Sequence, residues 1–132
     1  MAESQALVDK TAAEPLLSQS QVFALDHLPL RTMPNGARSW NVLHGTLATG
    51  ETIAVHESMQ PAGTSPNPAH KIAHSEFILV REGTLEFQYD GKSERISAGG
   101  VVFVACGTLH SARNVGDDAA TYFVISIGGD TK

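Results

Sequence analysis

Short apolar or alternating runs, separated by turn-forming residues, constrain the fold of this chain more than any other sequence feature. From about residue 21 onward, Gly, Pro, Asn and Asp interrupt the runs VFAL, SWNVLHGTL, TIAVHESM, EFILVRE, TLEFQY, KSERIS, VVFVA and TYFVISI. Runs of this length with alternating polarity are typical of β-strands, and no useful stretch shows a helical period. The sequence therefore predicts a small all-β protein.

The clearest local prediction is a β-hairpin in which TLEFQY and KSERIS flank the dipeptide Asp90-Gly91. Alternation places Leu85, Phe87 and Tyr89 on one face of the first strand. Asp-Gly is a preferred pair for the tight type I′ turn that joins two antiparallel strands. We therefore expect these two runs to pair directly.

The number and brevity of the runs also predict the architecture. Short antiparallel strands usually protect their edges by closing into a barrel or a double-sheet jelly roll. We expect a double-sheet jelly-roll β-barrel as one domain over residues 21–132, preceded by a flexible N-terminal segment at residues 1–20. Three prolines and Gly63 between residues 60 and 69 break any strand there and predict a loop.

Composition excludes several kinds of partner. Acidic residues outnumber basic residues by 14 to 9, and no basic block appears, so we expect no nucleic acid partner. No apolar run reaches the roughly 20 residues that span a bilayer, so we expect no membrane insertion. Cys106 is the single cysteine and can form no intrachain disulfide, which leaves a cytoplasmic location and a periplasmic one after signal removal both open.

Two histidine-bearing segments carry the candidate chemistry: HKIAHSEFILVREG at residues 70–83 and GTLHSARN at residues 107–114. A site built from His70, Glu76 and His110 would gather two imidazoles and a carboxylate. Polar groups of this kind inside a barrel need partners, and a shared divalent metal is an economical one. Fe, Mn, Ni, Co, Cu and Zn all accept such donors, so the donor types do not choose the metal.

The stretch from about Gly50 to Gly128 resembles the cupin superfamily. In the first cupin motif, His70, Glu76 and Gly83 occupy matching positions, whereas Ile72 stands where a second histidine belongs. The resemblance implies a barrel that holds a metal between its sheets. The flanking sequence is similar to that of small single-domain bacterial cupins.

The second cupin motif also matches, with one departure. Gly99, Gly107, His110 and Asn114 occupy motif positions, and Ala105 replaces the usual proline. The resemblance therefore implies that His110 supplies the ligand from the second motif.

Ile72 leaves three consequences open for the metal. Three ligands suffice and Ile72 makes one side of the cavity apolar; or His74 swings in as a fourth ligand; or the metal is lost and a binding cavity remains. In an alternative register, His70 takes the second histidine position and Pro68 the first. His70, Glu76 and His110 remain the ligands in both registers.

Further residues are predicted to line the pocket. His56, in the TIAVHESM run, is a candidate cavity residue and, with His74, a candidate proton carrier. Its alternative is an ordinary strand histidine bonded to backbone or solvent. Cys106 is close enough to His110 in sequence to reach the barrel mouth, although a small buried apolar side chain is the favoured interpretation.

Two functions follow from this site. The first is a metal-dependent enzyme of the dioxygenase, isomerase, lyase or decarboxylase type acting on a small organic molecule. The second is a non-catalytic or vestigial cupin that binds a small ligand with weak metal binding or none. The resemblance also implies a homodimer, with the VFAL run at residues 22–25 as the strand exchanged between subunits.

Overall fold

The computed structural model describes residues 15–65 and 68–131, and within them the protein is all-β. A single short 3-10 helix, Leu25–His27, interrupts the strands of this described part. The strands are β1 Leu16–Leu17, β2 Leu30–Thr32, β3 Arg38–Leu47, β4 Thr52–Gln60, β5 Ser75–Glu82, β6 Thr84–Tyr89, β7 Lys92–Ser97, β8 Val101–Val104, β9 His110–Asn114 and β10 Ala120–Ile127.

These strands form two sheets, which confirms the predicted double-sheet jelly roll. The larger sheet has the order β1-β3-β4-β10-β5-β8, with β2 paired to β3, and the smaller sheet has the order β7-β6-β9. The chain reaches β10 last, yet β10 lies between β4 and β5 and pairs antiparallel with both. The centre of the large sheet is therefore built from three long strands that are distant in sequence.

The predicted hairpin is confirmed. β6 pairs with β7 in a register that places Tyr89 opposite Lys92, so Asp90 and Gly91 form the turn. Both turn residues have positive φ, 50° at Asp90 and 75° at Gly91, as a type I′ turn requires. Leu85 and Phe87 are buried, which places the predicted apolar face against the core.

Alternation along the central strands fills the space between the sheets. Over the first six residues of β5, Glu76, Ile78 and Val80 are buried and the residues between them are partly exposed, as expected for period-two side-chain direction. The buried apolar cluster contains Ile72, Ile78, Val80, Leu85, Phe87, Val104, Ala120, Tyr122 and Val124. This cluster leaves one region between the sheets to polar side chains.

The prediction that VFAL forms a strand was wrong. Residues 22–25 are exposed and belong to no strand. The edge of β3 is already occupied at two places, where Leu16 pairs with Thr46 and Leu30 pairs with Trp40. The VFAL run crosses between these two pairing sites and has no free edge to join.

The N-terminal part of the chain was predicted to be flexible over residues 1–20. Residues 1–14 lie outside the described residues, and Leu16 and Leu17 pair in parallel with the end of β3. Along the described chain, no helix is both long and apolar enough to cross a membrane.

The segment after β10 packs against the segment before β5, and Gly129 makes this approach close. The Asp130 N–H donates to the Ala73 carbonyl at 3.0 Å. Gly129 has φ 52°, and a Cβ at this position would overlap the Ala73 carbonyl oxygen. Gly128 also has positive φ, 74°, but a Cβ there would meet nothing within 4 Å.

We expect Gly129→Ala to lower the free energy of unfolding by more than Gly128→Ala does. Gly128→Ala introduces only left-handed backbone strain, of about 1 kcal/mol. Gly129→Ala adds the overlap with Ala73, so its cost should exceed about 2 kcal/mol. Urea denaturation of both variants measures the difference. Equal losses would show that the Ala73 contact adds nothing to stability.

Candidate functional site

The candidate site lies on the inward face of β4, β10 and β5. Val124 is paired with His56 on one side and Ile78 on the other, and Tyr122 is paired with Ser58. Because directly paired residues share a face of a sheet, these side chains all point toward the smaller sheet. The same face carries Glu76 near the start of β5.

A cavity of about 190 Å³ lies between the two sheets. The large sheet contributes residues from β4, β10 and β5, and β9 of the small sheet closes the opposite side. None of the described residues that line the cavity is Lys or Arg. The polar residues that line it are His56, Ser58, Gln60, His70, Glu76, His110, Ser111 and Tyr122.

Glu76 is a buried carboxylate held by hydrogen bonds. Its Oε1 lies 3.0 Å from His74 Nε2, and the Ser126 hydroxyl donates to the same oxygen at 3.5 Å. His74 Nδ1 donates to the Asp130 carbonyl at 2.6 Å. Because both partners of the His74 ring are acceptors, one further proton must lie between His74 Nε2 and Glu76 Oε1. His74 and Glu76 therefore form a buried, proton-linked pair.

His110 approaches the other oxygen of Glu76. Its Nε2 lies 3.8 Å from Glu76 Oε2, which is beyond hydrogen-bond distance. Its Nδ1 donates to the Thr108 carbonyl at 2.9 Å and so fixes the direction of the ring. His70 forms an antiparallel backbone bridge with His110, and the two ring centroids are 4.7 Å apart. The structure thus brings His70, Glu76 and His110 to one cavity.

The two histidine segments contribute to the cavity from opposite sheets. β5, which carries Glu76, pairs with β10 and β8 in the large sheet, whereas β9, which begins at His110, pairs with β6 in the small sheet. Glu76 and His110 therefore face each other from opposite sheets. His70 lies before β5 and reaches His110 through its own backbone bridge.

The other predicted pocket residues separate into two groups. His56 lines the cavity, whereas His74 reaches it only through its hydrogen bond to Glu76. Ile72 packs in the apolar core and is not among the residues that line this cavity. Cys106 does not line it either, and the expectation that its side chain is buried was wrong. It is exposed because it lies in the turn after β8, where its thiol faces the Ile72 carbonyl.

The cavity-wall residues that sequence reasoning missed include Ser58, Gln60 and Tyr122. Ser58 and Gln60 follow His56 at even spacing, so alternation along β4 could have placed them on the same face. For the adjacent Tyr122 and Phe123, alternation indicates only that one of them faces inward. Tyr122 is the inward residue, with 8% of its surface exposed.

Asn114, a position of the second motif, organises the chain rather than the cavity. Its backbone N–H donates to Gln60 Oε1 at 3.1 Å, and its side-chain amide donates to the carbonyls of Gln60 and Asp118. Its Oδ1 accepts a hydrogen bond from the Gly116 N–H. Asn114 thereby joins β9 to the end of β4 and closes the turn that leads to β10.

Whether His70, Glu76 and His110 fit a metal ion depends on their chemistry and on how they are grouped. Two imidazoles and a carboxylate suit a divalent metal chemically, and all three line one cavity. Within residues 15–65 and 68–131, however, no three His, Cys, Asp or Glu side chains are grouped so that they could hold one ion. Oε1 of Glu76 is engaged by His74. In this arrangement the predicted ligands do not fit a metal ion.

The environment of His56 changes its protonation. Burial lowers the pKa of His56 below its usual value of 6.5, and the nearby negative charge of Glu76 opposes this effect. The unfolded chain therefore takes up a proton at His56 at a higher pH than the folded chain does. Stability must fall as the pH drops through about 6.5 and continue to fall until the folded His56 itself is protonated.

We expect the free energy of unfolding of His56→Gln to fall less than that of the wild type between about pH 7.5 and about pH 5.5. Val55→Ala is the matched control, because it removes a neighbouring side chain that does not titrate and should run parallel to the wild type. Urea denaturation at several pH values measures all three. A His56→Gln profile parallel to the wild type would contradict the assigned burial effect.

Several solved structures share this fold. A predicted oxalate decarboxylase from Thermotoga maritima is 19% identical with a TM-score of 0.69, over 81% of this chain and 98% of that one. KdgF from Halomonas sp. is 17% identical with a TM-score of 0.69, over 82% and 94%. A Cupin 2 conserved barrel domain protein from Salinispora arenicola is 20% identical with a TM-score of 0.64, over 86% and 92%. At these identities the likeness shows the fold alone.

No curated protein matches the chain significantly. The family model described as "Cupin domain" matches residues 55–126, which is more than half of the 132 residues. The match begins in β4 and ends in β10, so it contains His56, both histidine segments and the central strands that form the cavity. This chain belongs to the cupin family.

Proposed function

We propose that this protein binds a small, oxygen-bearing organic molecule in the cavity between its two sheets. The observation that carries the proposal is the convergence of polar side chains from both sheets on one cavity. A cavity of about 190 Å³ has the volume of about six waters at roughly 30 Å³ each. This volume suits a molecule of small-ring size.

The charge of the lining supports a neutral ligand. Glu76 is the carboxylate in the wall, and no Lys or Arg lies among the described lining residues to neutralise an anion. An anionic ligand would lose its hydrating water without gaining a Lys or Arg partner among these residues, which is costly. Neutral hydroxyl and carbonyl groups match the hydroxyl, amide and imidazole groups of the wall.

We expect cyclohexanol to bind at least about tenfold more tightly than cyclohexanecarboxylate, because the anion lacks a cationic partner in the cavity. Amide chemical-shift titration by NMR measures both dissociation constants and locates the shifts. Shifts should concentrate at Glu76, His110 and Tyr122. Shifts confined to the residues around Phe87 and Val101, which do not line the cavity, would contradict binding in the cavity.

A metal-dependent enzyme is the second candidate function. The observation that favours it is that His70, Glu76 and His110, the predicted ligands, line the same cavity. The reaction class would then be one of those that cupin sites support with a divalent ion, and His56 would be the candidate proton carrier in the wall. The buried pairing of Glu76 with His74 favours the metal-free alternative.

Elemental analysis separates the two candidates. For protein purified without added metal, we expect well under one transition-metal ion per chain, because His74 already satisfies one oxygen of Glu76. The matched variants are Glu76→Gln, which changes the predicted ligand, and Glu86→Gln, a carboxylate on β6 that does not line the cavity. A stoichiometric ion lost only in Glu76→Gln would establish the metal-dependent candidate instead.

We propose that the protein forms a homodimer, as the resemblance implies. The VFAL run is exposed and belongs to no strand of its own chain, and its pairing with a partner subunit stays a prediction. Val101 and Phe103 on β8, the edge strand of the large sheet, expose 57% and 59% of their surface. Light scattering should give twice the 14.0 kDa chain mass. A mass of one chain would contradict the dimer.

A further inference from the structure

The side-chain amide of Gln60 has a fixed orientation. Its Oε1 accepts a hydrogen bond from the Asn114 backbone N–H at 3.1 Å, so the other amide atom must be the nitrogen. That Nε2 donates to the Tyr122 hydroxyl oxygen at 2.9 Å and also to the Ala112 carbonyl at 3.4 Å. Gln60 can only donate toward Tyr122, so the hydrogen of the Tyr122 hydroxyl is not used there.

The hydroxyl of Tyr122 has one hydrogen to offer. Burial raises the pKa of Tyr122 above its usual value of 10, and the hydrogen bond from Gln60 opposes this effect. Burial is the larger effect, so the phenol keeps its proton at neutral pH. Gln60 donates to the oxygen, and no hydrogen bond between described residues has the Tyr122 hydroxyl as its donor. Tyr122 is therefore a buried donor in the cavity wall.

The side of the cavity that carries His110 and Glu76 presents hydrogen-bond acceptors, whereas Tyr122 presents a donor. The Thr108 carbonyl accepts a hydrogen bond from His110 Nδ1, so in the neutral ring Nε2 is the acceptor atom. Glu76 Oε2 lies 3.8 Å from that nitrogen and has no hydrogen-bond donor among the described residues. Two acceptors therefore face each other across a gap that a ligand hydroxyl group can enter.

We propose that the cavity selects a neutral hydroxy-carbonyl compound, whose hydroxyl group donates to Glu76 and His110 and whose carbonyl oxygen accepts from the Tyr122 hydroxyl. This inference rests on the proposed function, since it assigns the ligand class of the same cavity. Tyr122, on β10, forms the donor end. Glu76 and His110 form the acceptor end, on β5 and β9.

The arrangement of the donor end strengthens the phenol as a donor. Each hydrogen bond that the Tyr122 oxygen accepts polarises its O–H group, and low polarity around the ring amplifies the effect. Gln60 is the last residue of β4, the strand that pairs with β10, so strand pairing holds this donor beside the phenol. The phenol is thus held in place before any ligand binds, which reduces the entropy lost on binding.

The test compares 2-hydroxycyclohexanone, which has both groups, with cyclohexanol, which has the hydroxyl group alone. Tyr122→Phe removes only the donor, and we expect it to raise the dissociation constant of 2-hydroxycyclohexanone about five- to tenfold. Cyclohexanol should bind the variant within about twofold of the wild type. Tyr89→Phe, which removes a phenol outside this cavity, should change neither constant.

The possible outcomes separate this inference from the proposed function. If 2-hydroxycyclohexanone binds the cavity of the wild type and of folded Tyr122→Phe equally well, the assignment of Tyr122 is overturned and cavity binding stands. If neither probe shifts the cavity amides of the wild type, the proposed function fails and this inference fails with it.

A second measurement serves where Tyr122→Phe does not fold. Isotope-edited infrared spectra of 2-hydroxycyclohexanone should show its carbonyl stretch at lower frequency when bound to the wild type than in water-free solvent. Ser58→Ala keeps the phenol, so it should preserve this shift. A bound carbonyl that absorbs as it does in a solvent without donors would overturn the inference.

Discussion

The buried carboxylate of Glu76 is the constraint on which the site depends. A carboxylate between two sheets needs hydrogen-bond donors, because burial removes the water that would otherwise solvate it. His74 and Ser126 match Oε1. His74 is itself held by the Asp130 carbonyl, so the segment after β10 must stay against the segment before β5. One buried charge therefore ties the last strand of the fold to the entrance of β5.

His74, and not Ile72, is the residue of this segment that contacts the carboxylate. His74 Nε2 lies 3.0 Å from Glu76 Oε1 and would compete with a metal ion for that oxygen. Ile72, which the resemblance places at a histidine position of the first motif, packs in the apolar core, where 8% of its surface is exposed. Two polar atoms, Glu76 Oε2 and His110 Nε2, remain turned toward the cavity.

Much of the fold could be predicted because its signals are local. Asp90-Gly91 and the alternation of TLEFQY depend on adjacent residues, and both appear as expected. VFAL misled because strand formation also needs a free edge, and β3 offers none beside it. The convergence of His70, Glu76 and His110 followed from motif spacing. The bond from His74 to Asp130 could not, because it joins a side chain to a backbone carbonyl 56 positions away.

The orientation of the Tyr122 side chain depends on strand register, which the sequence alone does not give. Tyr122 and Phe123 are both large and aromatic, so alternation alone gives two equivalent assignments. Pairing of β10 with β4 places Tyr122 opposite Ser58, on the face that also carries Glu76, and Phe123 opposite Glu57 on the outer face. That register decides the polarity of the cavity, because it puts a phenol donor on the same sheet as the carboxylate. With Phe123 inward instead, the wall would present acceptors with no phenol donor to oppose them.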